Sequence, residues 1–205
     1  MSHSPLSPLT EKKSGIRTKH FLIFIGIVAV LWIIFAFLYL ASSTYAKDKL
    51  EDGAQAYLSE ASGQDPAYEN ASLVDSQDDG NYTYVIMELT DGRHAFVCFE
   101  TNWSSFGRYQ PIAGRIPLVN DQQSSADIHT FVYKKDDMVI YSIFGPNKTD
   151  LEALNMYVYS STNGQLLDSK QYDTAGEEYL LCTYRVRVHD ETGIQIKTNI
   201  DDLIG

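Results

Sequence analysis

Only two cysteines occur in 205 residues, Cys98 and Cys182, and they are not closely paired, so the thiolate pairs of a zinc ribbon or finger are absent. There is no Gly-x-Ser-x-Gly elbow and no His-Glu-x-x-His helix, which removes the two most recognisable local signatures of a hydrolase. Positive charge is scarce beyond the first twenty residues. Residues 42–205 hold 12 basic and 26 acidic side chains, a net charge of -14, and such a surface is repelled by nucleic acid. No nucleic-acid partner is expected, and no residue set asks for a cofactor. With 44% apolar, 12% aromatic and 21% charged residues, the chain is also not disordered, collagenous or a coiled coil.

What the sequence does have is one uncharged run of 21 residues, Phe21 to Ala41. At about 1.5 Å per residue a helix of that length covers roughly 31 Å, close to the hydrocarbon thickness of a bilayer, whereas a signal-peptide core is roughly 7–15 residues. The expected partner of residues 21–41 is therefore the lipid bilayer. A cleaved signal is the competing reading, with Thr44-Tyr45-Ala46 a passable cleavage site, and no Cys follows the run to accept a lipid. Residues 1–20 read as a short disordered tail carrying Lys12, Lys13, Arg17 and Lys19 against Glu11, net +3. Positive flanks stay cytoplasmic, so the N-terminus is expected inside and the acidic remainder outside.

The organisation expected beyond the span is α+β. Apolar residues at Ala46, Leu50, Ala54, Tyr57, Leu58 and Ala61 predict an amphipathic helix over 42–63, weakened at Gly53, with no Pro to part it from the span. From 64 to 205 the sequence predicts a mainly antiparallel domain of about eight strands in four hairpins, with a change of spacing near 145–150. The first turns at Asp91-Gly92 in a two-residue type I′ geometry, which sets Leu89 opposite His94, Met87 opposite Phe96 and Val85 opposite Cys98 on a core face, and Ile86 opposite Val97 and Tyr84 opposite Phe99 on the other. The others turn at Asp136-Asp137, at Asn163-Gly164, and within Asp190 to Gly193. Thr149 and Glu152 suggest a capped helical turn, and Ser62–Asn81, Thr101–Arg115 and Val119–Asp127 read as irregular connections.

Several groups are candidates for function. Trp103, Phe106, Arg108 and Tyr109 crowd an irregular segment and would suit stacking on a sugar or gripping a peptide; equally, they would pin a loop to the core. Arg185, Arg187 and Lys197 could line up on neighbouring strands as an anion-docking strip, or pair with carboxylates. His129 and His189 have acidic neighbours, but His94, His129 and His189 lack metal-site spacing and read as surface or strand-end histidines, and Asp75, Asp78, Asp79, Gly80 and Asn81 lack EF-hand spacing and read as a solvated turn. Cys98 and Cys182 either form a disulfide, closing about 84 residues for roughly 4–5 kcal/mol, or are buried thiols. Asn70, Asn81, Asn102 and Asn147 are glycan acceptors if the source is eukaryotic. Together these lead to a membrane-anchored, non-catalytic outer domain binding a protein or envelope polymer; the alternatives are an outer-face hydrolase using His129 or His189, and a structural subunit of a membrane complex.

Overall fold

The computed structural model describes residues 15–63, 65–102, 105–116, 127–187 and 193–201. The chain divides into two units at Ser43/Thr44. The first holds one helix, α1 (Gly15–Ser43), which begins six residues before the expected span. Lys19–Leu40 within it has a mean hydropathy of 3.1, is 0% buried, and is long and apolar enough to cross a membrane. The expected tail over residues 1–14 lies outside the described residues.

The second unit opens with a 3-10 turn (Lys47–Lys49), α2 (Leu50–Ala61) and the one-turn α3 (Pro66–Glu69). Helix α2 forms as its spacing predicts, burying Leu50, Ala54 and Leu58 on one stripe and ending at Gly63, whose φ is 74°. It is not continuous with α1. Tyr45 leaves helical geometry to exchange backbone hydrogen bonds with Tyr109 (2.7 and 2.9 Å), and its ring lies where a side chain on Gly53 would stand. Gly53 therefore makes room for Tyr45 within an unbroken α2.

Ten antiparallel strands follow in three sheets: β1 (Ser72–Asp79), β2 (Tyr82–Glu88), β3 (His94–Thr101) and β4 (Tyr109–Arg115) in that order; β5 (His129–Lys135), β6 (Met138–Pro146) and β9 (Tyr179–Arg187) in the order β5-β6-β9; and β7 (Ala153–Ser160), β8 (Leu166–Asp173) and β10 (Ile194–Thr198) in the order β10-β7-β8. Helices and sheets stack as four layers with three cores between them. Leu58 and Tyr68 meet Val85, Met87, Val97 and Phe99 in the first; Tyr84, Ile86 and Phe96 meet Phe131, Ile140 and Phe144 in the second; Ile143, Leu180 and Cys182 meet Leu154, Met156 and Val158 in the third. Strands β2 and β3 are covered on both faces, which is why their sequence runs apolar without alternation. The change of spacing near 145–150 marks the passage from the second sheet to the third.

Four expectations about strands are corrected. The β2–β3 register is Glu88 opposite His94, Met87 opposite Ala95, Ile86 opposite Phe96, Val85 opposite Val97 and Tyr84 opposite Cys98. Leu89 and Arg93 close a three-residue loop, with Leu89 N–H donating to Arg93 O (2.8 Å) and Gly92 at φ 81°, so the ladder shifts by one and Phe96 and Cys98 change faces. Strands β1 and β4 occupy stretches that read as irregular; both are sheet edges, where a polar sequence and Pro111 are tolerated. Strands β9 and β10 are not a hairpin, because β9 pairs with β6 and β10 with β7. Residues 147–152 form a turn instead of a capped helix, organised by the buried Asn147: its Oδ1 accepts from Leu151 N (2.8 Å) and its amide donates to Leu151 O, Thr174 O and Glu177 O. The β5–β6 turn at Asp136-Asp137 agrees with expectation, with Lys135 opposite Met138 and Asp136 at φ 52°.

Candidate functional site

A buried polar cluster of the second unit lies where the second and third layers meet. His94 opens β3, Asp127 and Ile128 lead into β5, and His129 opens β5; the three polar side chains are each about 5% exposed. The Asp127 carboxylate bridges the imidazoles, with Oδ1 3.1 Å from His129 Nε2 and Oδ2 3.3 Å from His94 Nδ1, and Lys148 Nζ stands 3.4 Å from Oδ2. The His94 contact is at ion-pair distance without hydrogen-bond geometry. Tyr179 covers the His94 ring and Phe144 the His129 ring, at centroid distances of 5.7 and 5.6 Å. Asp127 and His129 lie two residues apart on the lead into β5, with Asp127 in left-handed geometry, and the arrival of His94 from another sheet is not a local signal. His94 and His129 are thus strand-end histidines, as the sequence suggests, and both are buried; His189 lies outside the described residues.

The hydrogen bond with Asp127 orients the His129 ring. Burial, with the charge of Arg115, holds His129 below its ordinary value of 6.5 against the opposing pull of Asp127. The folded state then takes up this proton less readily than the unfolded chain, so the contribution of His129 to stability is complete above pH 6.5 and declines as the pH falls below it. The denaturation midpoint is expected to fall between pH 6.5 and 5, and to fall less in His129→Gln; equal slopes in the two proteins would contradict this. Among the described residues no group of three or more His, Cys, Asp or Glu is arranged to hold a metal ion.

The aromatic segment is divided by the structure. Arg108 reaches back to Thr44, its Nε donating to Oγ1 and its Nη2 to the carbonyl, both at 2.8 Å, and Tyr109 pairs with Tyr45. Both residues therefore fasten the first strand-like residues of the unit. The turn between them and β3 is tied by Ser105, whose hydroxyl donates to carbonyls of Asn102 and Arg108. Phe106 is presented outward at φ 52° with 76% of its surface exposed. Trp103 lies outside the described residues.

The basic strip does not assemble on neighbouring strands, since β9 and β10 belong to different sheets. Arg185 lies over the Tyr82 ring with Nη2 3.3 Å from Asp79; Arg187 is exposed at the end of β9; Lys197 lies over the Tyr159 ring at 5.7 Å. The carboxylates of the turn before β2 are likewise used separately, Asp78 by Lys47 and Thr83, and Asp79 by Arg185.

Cys98 and Cys182 are free thiols in different cores, so no bridge joins them. Burial pushes both thiols up, Cys182 to about 12. Native protein is expected to resist thiol reagents, and denatured, unreduced protein to take up two equivalents; none after denaturation would restore the bridge. Of the glycan acceptors, Asn70 and Asn81 are exposed, Asn102 accepts from Ser105 N, and the Asn147 amide nitrogen is committed to three carbonyls.

Two concavities border the end of β8. One of about 230 Å³ is lined by Asp75, Gln77, Tyr172, Glu177, Tyr179 and Cys182, and burial raises the Asp75 carboxyl, reinforced by the charge of Glu177. The other is an open trough of about 520 Å³ along Glu152, Ala153, Gln171, Asp173 and Ala175. The first is smaller than a typical small-molecule pocket, and neither includes the His94–Asp127–His129 cluster. Comparison with protein-family models, with curated proteins and with solved structures finds no match.

Proposed function

We propose that this chain is a single-pass membrane protein with a cytoplasmic N-terminus, whose acidic layered unit lies outside the membrane and binds a protein or envelope polymer by its surface without catalysis. The carrying observation concerns retention of the span. Cleavage at Thr44-Tyr45-Ala46 would remove residues on which the second unit is built: Thr44 is 2% exposed and receives Arg108, and Tyr45 completes a β-bridge and fills the space left by Gly53. A helix 0% buried over Lys19–Leu40 also differs from the covered core helix of a soluble protein. The charge asymmetry, +3 before the span and -14 after it, supports the orientation. Binding by surface fits the two concavities among the described residues, one small and one open.

The test is alkaline carbonate extraction of membranes followed by N-terminal sequencing of the product. Full-length chain in the pellet is expected; a soluble product beginning near residue 47 would overturn the anchor.

A further inference from the structure

We propose that two copies of this chain pair through strand β8, edge to edge and antiparallel, continuing the β10-β7-β8 sheet across a two-fold axis at Ser169. The pairing does not depend on where the protein resides.

Strand β8 is an outer edge, hydrogen-bonded to β7 on one side, and all its residues except Tyr172 are exposed. An edge of this kind presents backbone donors and acceptors to another strand. Among the described residues of the second unit, four large apolar side chains are exposed, and Leu166 (49%) and Leu167 (54%) on β8 are two of them.

The charges select the partner. Of the six edge strands, β1 carries Asp75, Asp78 and Asp79; β5 carries Lys134 and Lys135; β9 carries Arg185 and Arg187; β10 carries Lys197; and β4 carries Arg115 with Pro111 interrupting its ladder. Only β8 among these described edges carries both signs. Pairing it antiparallel with itself about Ser169 places Asp168 opposite Lys170 of the second copy, and Lys170 opposite Asp168, so that the symmetry makes the favourable pair twice. The regular stretch of β8 is Asp168 to Asp173, because Asp168 pairs with Val158 and Leu166 with Tyr159, leaving Leu167 as a bulge. Asp168 and Lys170 both lie on the face toward β9, where Tyr184 donates to Asp168 and Lys170 Nζ donates to Thr183 O at 3.5 Å. A slip by one residue would separate the opposite charges, so the register is specified as well as the partner.

The test is oxidative cross-linking of the full-length chain in its membrane or in detergent. Directly opposed residues have Cα atoms about 4.5–5.5 Å apart, within disulfide reach, and the two native thiols are buried. Ser169→Cys is expected to give a disulfide dimer, and Asn163→Cys, at the tip of the β7–β8 turn, is not. Added to Ser169→Cys, Lys170→Asp makes both pairs repulsive and is expected to reduce the dimer roughly fivefold or more. The double exchange Asp168→Lys with Lys170→Asp restores opposite charges and is expected to restore the dimer. Equal cross-linking of Ser169→Cys and Asn163→Cys, or failure of the double exchange to restore it, overturns the proposal.

Discussion

Truncation of Phe96 to alanine is expected to lower stability by about 3–5 kcal/mol, the range for deleting a buried aromatic and leaving a cavity. The side chain is fully buried at the centre of the second core, with ring centroids 4.7 Å from Phe131, 5.2 Å from Phe144 and 6.1 Å from Tyr84. Those neighbours come from two different sheets, so the ring is a principal contact between the second and third layers. For a unit of this size the loss corresponds to a fall in Tm of roughly 6–20 °C, readable by near-ultraviolet circular dichroism. Val132→Ala, at a position 60% exposed on β5, is the control and is expected to change stability by under about 0.5 kcal/mol. Similar, small effects of the two substitutions would mean that the sheets do not pack as described. The same experiment checks the β2–β3 register, because the three-residue loop at Thr90-Asp91-Gly92 is what aims Phe96 at this core.

Gly145→Ala is the second large effect, expected at about 3 kcal/mol or more from strain and collision together. Gly145 sits at φ 141°, which L side chains rarely adopt, and an added Cβ would lie 2.3 Å from the Asp127 carbonyl and 3.2 Å from the Ile128 Cα. The obstructing atoms are backbone, so relief would require moving the segment that carries the Asp127 carboxylate between His94 and His129. Asp127 is itself at φ 56°, so the two chains cross closely at a place where both are in left-handed or neighbouring geometry. A fall in Tm together with a changed pH dependence below 6.5 is expected, since His129 loses the carboxylate that opposes its burial. Gly63→Ala provides the comparison. It also has a positive φ, 74°, but an added Cβ there meets nothing within 4 Å, so strain acts without collision. Equal losses at the two positions would contradict the close crossing.

Local pattern carried the reading of this sequence further than long-range pairing. The stripe Leu50, Ala54, Leu58 announces α2, and Asp136-Asp137 announces the β5–β6 turn, because each is decided by neighbours in the chain. Asp91-Gly92 also announces a turn, but a dipeptide does not state whether the loop has two residues or three, and that single residue decides which face Phe96 and Cys98 occupy. The polar β1 and the proline-containing β4 escape notice because edge strands need no alternating apolar face. The candidate cluster is half visible: Asp127 and His129 are near neighbours in the chain, whereas His94 joins them through sheet stacking across 33 residues. The separation of β9 from β10 has the same origin. Their short connection resembles a hairpin, yet β9 finds β6 and β10 finds β7, so the side chains of Arg185 and Lys197 settle over tyrosines in different sheets.

In the proposed topology an uncleaved apolar helix carries the acidic unit to the far side of a membrane. Protease added to intact cells, with detergent-opened cells alongside, tests this most directly. The second unit is expected to be degraded in intact cells while a fragment containing residues 1–40 survives in the membrane. A second unit protected until the cells are opened would contradict it.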